Sequence, residues 1–477
     1  MKNYLEWFQE LSRIPHGSGN TKAISDFCAR FAADRGLPCR QDEAGNIVIV
    51  KAASAGRESD PGIMLQGHLD MVAVTEPGLD FDFLTDPLDL TVEGNFLTAR
   101  GTTLGGDDGI AVAMALAVLD DDHLSHPRLE CVFTTDEEIG MLGAAALDMS
   151  DLFSPYLLNM DSEDEGIFVV SCAGGTRARI TVPVRRVVRR GTPVHISLTG
   201  LTGGHSGTEI DKNRGNAIRI FASLLGGVLA DVQLDIVSLS GGNADNAIPF
   251  SCKGDFLLTA GTEEQIAAAI SREWARICEE LGDREPGRNL DWSVTAKDVP
   301  RAAVCADRES TSRLCRLISE LPDGVYAMSP EMEGLVETSS NIGTITLAEE
   351  GYVLVDALRS AVDAKRDALK EVFRGTAEAC GAQIDFAADY PGWPYRKDSA
   401  LQEQMTALYE EMFGKTPRVE GIHGGLECGI FSQKKPDLDI VSIGPQMYDI
   451  HSVNERLSLS SCERTWQFLV ELLARLG

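Results

Sequence analysis

Between Asn46 and Asp161 the chain repeats one pattern, a short apolar run that halts at a polar or acidic residue. NIVIVK, GIMLQGHLD, LECVFTT and YLLNMD have strand length, and IAVAMALAVLDD is an apolar helix among them. Short apolar runs alternating with helical periodicity predict an α/β fold, a central sheet with helices on its faces. In such sheets ligands gather beyond the carboxyl ends of the strands. The residues standing there are His68 and Asp70 after MLQG, Glu137 and Glu138 after FTTD, and Asp161 after LLNM.

Two amphipathic helices precede this region, one ended by Ile14 and Pro15 and one closed by Gly36. Past Cys172 the texture changes to ARITVPVRRV and VHISLTGL, then helices over 216–230 and 263–281, then the strands DFLLTA and GYVLVDAL. That mixture predicts an α+β insertion. YPGWP returns the chain to a helix over 400–413, the strand DIVSIG and a last amphipathic helix over 462–476. A chain of 477 residues is too long for one ordinary core. The expected organisation is a catalytic domain in two parts, 1–173 and 390–477, interrupted by a lid domain, 174–389.

Charge narrows the partners. With 73 acidic against 43 basic side chains the formal net charge is -30, which disfavours nucleic acid and anionic membranes, since both call for basic patches. The 11 cysteines form no CxxC pair and are odd in number, so neither a disulfide framework nor a cysteine zinc site is expected. No apolar run approaches the roughly 18 residues of a membrane span, and the N-terminus has no signal-peptide pattern. The expected location is the cytoplasm.

The chemistry lies in four segments. On a strand, residues two apart share a face, so Asp70 can stand beside His68 and orient a metal-binding imidazole. In GTTLGGDDGIA, the glycines permit a turn that can aim one of Asp107 and Asp108 at the sheet rim, where a single carboxylate can bridge two cations; Asp107 is the candidate bridge. Adjacent Glu137 and Glu138 can place a metal ligand and a general base on one short segment, the base accepting a proton from a water that the metal acidifies. Asp161 and His451 can add a carboxylate and an imidazole. Each piece alone has a plain structural reading: a surface ion pair for His68 and Asp70, a helix cap for Asp108 or its neighbour, a solvated helix start for Glu137 and Glu138, a hydrogen-bonded histidine at 451. The joint pattern carries the weight.

With these residues in view, the chain resembles the dinuclear zinc exopeptidases and deacylases of the carnosinase and aminoacylase clan, and more closely the aminoacyl-histidine dipeptidases. The resemblance runs in order through GHLDMV, GTTLGGDDGIA, TTDEEIGMLGA, NMDSEDEG, SCAGG, GLTGGHSGTEI, YPGW, HGGLECGIF and SIGPQMYDIHSVNER. It implies a zinc-exopeptidase-like catalytic domain and a ferredoxin-like lid that is doubled, although no internal sequence repeat is visible. It also implies His68 and Asp161 on one Zn2+, Glu138 and His451 on a second, and Asp107 between them, with Co2+ or Mn2+ as substitutes. Glu137 is then the general base and acid, Asp70 the residue orienting His68, and the Asp107–Asp108 peptide cis. His205 in GLTGGHSG matches a lid histidine that stabilises the oxyanion, and Arg359 matches an arginine that holds the substrate carboxylate. Asn246, Asn341, Glu427 and His423 are further candidates for substrate contact.

HSVNE stands where relatives usually carry HSPDE, and Asp108 where Asn or a small residue is common. These departures bear on substrate preference more than on activity. The implied activity is hydrolysis of dipeptides, of the Xaa-His or β-alanyl-histidine type or a broader range; the alternative is an N-acyl amino acid deacylase or desuccinylase with the same metal site. A catalytically silent scaffold would have lost Glu137 or a ligand position, and all are present. The expected partner is a dipeptide, and any self-association is expected to be a homodimer.

Overall fold

The computed structural model describes residues 2–295 and 301–477. It divides into two compact units. The first runs through Cys172 and returns at Trp393–Gly421 and Leu426–Gly477; the second comprises Ala173–Gly392 and Ile422–Gly425.

The first unit is built on an eight-stranded mixed sheet. Its order is Cys39–Gln41, Ile47–Lys51, Leu129–Thr134, Ile63–His68, Tyr156–Asn159, Asp439–Ser442, Ile167–Cys172 and, at the edge, Arg418–Ile422. Ile63–His68 and Leu129–Thr134 are buried at every position, which is why they read as unbroken apolar runs. Ile63–His68 lies parallel to both Leu129–Thr134 and Tyr156–Asn159, and Asp439–Ser442 is parallel to Tyr156–Asn159. These four strands therefore end on the same rim. The helix Gly106–Asp120 is buried almost all round, as a helix without a polar face must be. Leu459–Arg475 is amphipathic and buries Cys462, Phe468, Leu469, Leu472 and Leu473.

The second unit holds one large antiparallel sheet made of two βαββαβ halves. In the inner half the strands Arg186–Thr199, Gln233–Gly241, Cys252–Ala260 and Asn289–Val294 alternate with the helices Ala217–Val228 and Glu263–Leu281. In the outer half Gly174–Pro183, Val336–Leu347, Gly351–Ser360 and Gln383–Tyr390 combine with the helices Arg308–Glu320 and Asp363–Ala379. Each half has the strand order fourth, first, third, second, and the two join where Ser240 and Gly241 pair with Thr346 and Ile345. One core, including Phe221, Ile266, Leu314 and Phe373 from the four helices and Ile196, Leu234, Tyr352 and Leu354 from the strands, covers both halves. The duplication is nested: the first strand of the outer half precedes the entire inner half, so no tandem repeat exists to be seen.

Candidate active site

The rim of the first unit gathers five side chains from segments far apart in sequence. His68 ends its strand, and its Nδ1 faces the backbone carbonyl of Asp70 at 2.9 Å. Its Nε2 lies 3.1 Å from Asp107 Oδ1 and 3.6 Å from Asp161 Oδ1. On the other side of Asp107, Oδ2 is 3.0 Å from His451 Nε2, which also lies 2.9 Å from Glu138 Oε1. Asp107 thus presents one oxygen to each imidazole. Glu137 stands with His68 and Glu138, their donor atoms within 4.8 Å of one another. The Asp107–Asp108 peptide is cis.

Asp70 does more than its pairing with His68 suggests. Its carboxylate accepts the backbone N–H groups of Glu137 (2.9 Å) and Glu138 (3.3 Å) and the hydroxyl of Ser18 (2.8 Å), while its own carboxylate stays 3.6 Å from His68 Nδ1. The imidazole is therefore oriented by the Asp70 backbone, and the Asp70 side chain fixes the segment carrying the two glutamates. Asp108, fully buried, does not cap its helix: its Oδ2 accepts the His68 N–H at 3.2 Å.

The donor set fits divalent cations. A single N–H on His451 cannot serve both Asp107 and Glu138, and the buried Glu138 Oε1 accepts no hydrogen bond. With His68 Nδ1 donating to the Asp70 carbonyl, the Nε2 lone pair would face two carboxylates. Positive charge is required between these atoms, and imidazole with carboxylate is a ligand set suited to Zn2+. The titrations express the same demand. Asp107 and Glu138 hold the His451 imidazolium up to about 11 against the effect of burial. Burial works to lower His68, yet Asp107, Asp161 and Asp70 outweigh it and hold the ring well above its ordinary value.

Glu137 is pushed up to about 8, first by burial and then by Glu427, Glu138 and Asp107, with His68 opposing. A carboxyl whose pKa lies close to neutrality exchanges its proton readily in that range. Beneath the rim, Glu427 starts the helix Glu427–Lys434 and is fully buried. Its Oε2 accepts from Gln66 at 2.6 Å and Thr134 at 2.7 Å, its Oε1 has no partner, and burial pushes it up to about 7.

The remaining candidates lie in the second unit. His205 belongs to a short ribbon, Gly204–His205 paired with Ala247–Ile248. Its Nδ1 accepts the N–H groups of Gly207 (3.3 Å) and Thr208 (3.1 Å), and burial and Arg359 lower its proton affinity. The neutral ring then carries its proton on Nε2. Arg359 is mostly buried, donating to the Tyr390 hydroxyl at 3.0 Å with its Nε unpartnered. His423 contacts Ser339 Oγ at 2.7 Å and is held neutral, its pKa lowered to about 3 by burial and Arg359. Asn341 is buried and donates to the Ala247 carbonyl at 2.9 Å, bracing the His205 ribbon. Asn246 is exposed, and its carbonyl accepts the Ser206 N–H at 2.8 Å.

Sequence reasoning missed Glu455, whose carboxylate takes the backbone N–H groups of the glycine turn. The available signal was a helix start with no Ser, Thr, Asp or Asn at the cap, which leaves amides in need of an acceptor. Tyr390, the neighbour of Arg359, was also missed, its place being visible only once the strands are paired.

A model of peptidase family M20/M25/M40 matches residues 64–475. The cytosol non-specific dipeptidase of Escherichia coli (strain K12) is 34% identical over 468 residues, 98% of this chain and 96% of that protein. The crystal structure of aminoacylhistidine dipeptidase from Vibrio alginolyticus matches with a TM-score of 0.91 and 35% identity, covering 99% of this chain and 96% of that one. Aminopeptidase PepT from Bacillus cereus ATCC 10987 shares the fold at a TM-score of 0.56 and 17% identity, over 99% of this chain and 98% of that one. Since the family model and the Escherichia coli relative both extend over most of the sequence, the chain belongs to peptidase family M20/M25/M40.

Proposed function

We propose that the protein is a metal-dependent dipeptidase holding two cations, Zn2+ or in its place Co2+ or Mn2+. The observation that carries this reading is one buried aspartate, Asp107, offering its two oxygens to two imidazoles, with Glu137 alongside. His68 and Asp161 would hold one cation, Glu138 and His451 the other, and Asp107 both. When bound, the cations polarise the scissile carbonyl and acidify water. Glu137 takes the proton of the attacking water and passes it to the leaving amine.

His205 donates from Nε2 to the developing oxyanion, a role supported by the commitment of its Nδ1 to two backbone amides. Arg359 binds the free carboxylate of the substrate, and the neutral His423 lies beside it. Asn341 supports the His205 ribbon, and Asn246 offers an exposed amide to the substrate. Glu427 lies beneath the rim and, when ionised, would attract the ammonium end of the dipeptide by its charge and not by contact. The substrates are dipeptides of the Xaa-His or β-alanyl-histidine kind or a wider range, in keeping with the two relatives named as dipeptidases. We place the enzyme in the cytosol, as the Escherichia coli relative's name has it, either as a single chain or as a homodimer; no helix among the described residues is long and apolar enough to cross a membrane.

Two measurements test this reading. The zinc-loaded protein should hydrolyse free dipeptides, β-Ala-His among them, and lose that activity to a chelator. Preference for N-acylated amino acids would assign it to the deacylases. Glu137→Gln should retain its metal and lose roughly 10²- to 10⁴-fold in kcat; near-normal turnover would remove Glu137 from the mechanism.

A further inference from the structure

The turn that carries Asp107 is held from the opposite end of the chain. Glu455 is 4% exposed, and its two oxygens divide four consecutive amides between them. Oε2 accepts the N–H of Leu104 at 2.7 Å and of Gly105 at 3.1 Å; Oε1 accepts the N–H of Gly106 at 2.8 Å and of Asp107 at 3.4 Å. Successive amides turned toward one point form an anion-binding nest. The nest needs its glycines: Gly105 has φ 67°, and a Cβ on Gly106 would come within 3.2 Å of Glu455 Oε1.

Glu455 also closes the loop that bears His451. Its own N–H donates to the Ser452 carbonyl at 3.1 Å, Ser452 Oγ donates to the Asp449 carbonyl at 2.6 Å, and Asn454 N–H donates to Ser452 Oγ at 3.1 Å. His451 itself has φ 60°, a conformation that needs such support. One carboxylate therefore ties the backbone of Asp107 to the loop of His451.

We infer that Glu455 is a positioning residue for cation binding, one that sets the spacing between Asp107 and His451 and so assembles the Asp107, Glu138 and His451 group. The inference rests on the proposed reading of the rim as a two-cation site. His68 and Asp161 come from strand ends that Glu455 does not touch, so the two groups depend on it unequally. A plain helix-capping role predicts something different, a loss of stability with cation binding unchanged.

The test is a titration of metal-stripped full-length protein with Co2+, followed by absorption and calorimetry, beside thermal melts of the same metal-stripped samples. Wild type should bind two Co2+. Glu455→Gln keeps the length of the side chain but turns an NH2 toward two of the amides. It should weaken the second Co2+ by 10- to 100-fold, the effect typical of groups that orient a ligand, with the first little changed. Asp439→Asn supplies the control, because Asp439 caps the helix Ala400–Phe413 through Ser399 Oγ at 2.6 Å and Leu401 N–H at 3.0 Å, away from the rim. It should lower the melting temperature and leave both Co2+ affinities alone. Should Glu455→Gln fail to fold, Glu455→Asp, which keeps the charge and shortens the reach, is read in the same way. Superimposable isotherms for wild type and either Glu455 variant would overturn the inference while leaving the two-cation reading intact; a wild type that binds no Co2+ would overturn both.

Discussion

A carboxyl sealed from water is favoured when it keeps its proton, and Glu427, in which burial outweighs the opposing charge of His68, shows the consequence. In the folded chain burial pushes it up to about 7 from an ordinary value of 4.5. Between those values the folded state holds a proton that the unfolded chain has released, so stability declines as pH rises from about 4.5 and levels off above about 7. For one group the loss is roughly 3 kcal/mol at 1.36 kcal/mol per pH unit. Glu427→Gln in the metal-free protein should remove that share of the decline, measured by denaturant melts at pH 5 and pH 7.5; an unchanged difference between the two would refute it. Among the candidate ligands, His68, Glu138 and Asp161 were legible because each follows an apolar run, the point at which a strand leaves the sheet, whereas Asp107 was read from its glycine turn. The depth of Glu427 was not, since HGGLECG gives no sign that Gln66 and Thr134 will close over its side chain.

The strand Ile63–His68 and the helix Gly106–Asp120 approach so closely that one residue between them must be glycine. A Cβ at Gly67 would lie 2.5 Å from Asp108 Oδ2 and 2.9 Å from the Ala111 Cβ. Gly67→Ala should therefore destabilise the protein by about 1–3 kcal/mol, the usual effect of overpacking. It should also weaken cation binding, because the strand carries His68 and the helix starts beside Asp107; denaturant midpoints with and without Co2+ give the measurement, and an unshifted midpoint would contradict it. Both elements could be read from periodicity. The way the helix start is held could not: a local rule looks for the cap of a helix within a few residues, and here the acceptor is Glu455, about 350 positions along the chain.

Across the whole molecule, a net charge of -30 opposes compaction. Raising ionic strength from 0.01 M to 0.15 M shortens the screening length from about 30 Å to about 8 Å, so the melting temperature of the metal-free protein should rise over that range. A flat or falling salt dependence would mean that local ion pairs outweigh the repulsion. The α+β character of the second unit was evident in the sequence, and its twofold construction was implied by the resemblance, but no internal repeat displays it, because the inner half splits the outer one. That nesting also bears on how the chain is made. As it leaves the ribosome, the inner half has all its strands and helices in one continuous stretch and can close early. Gly174–Pro183 emerges first but must wait for its neighbours Gly351–Ser360 and Gln383–Tyr390, an interval on the order of ten seconds at ordinary rates of synthesis. During that interval the nascent chain carries an unpaired strand, and a chaperone would find its sticking point there.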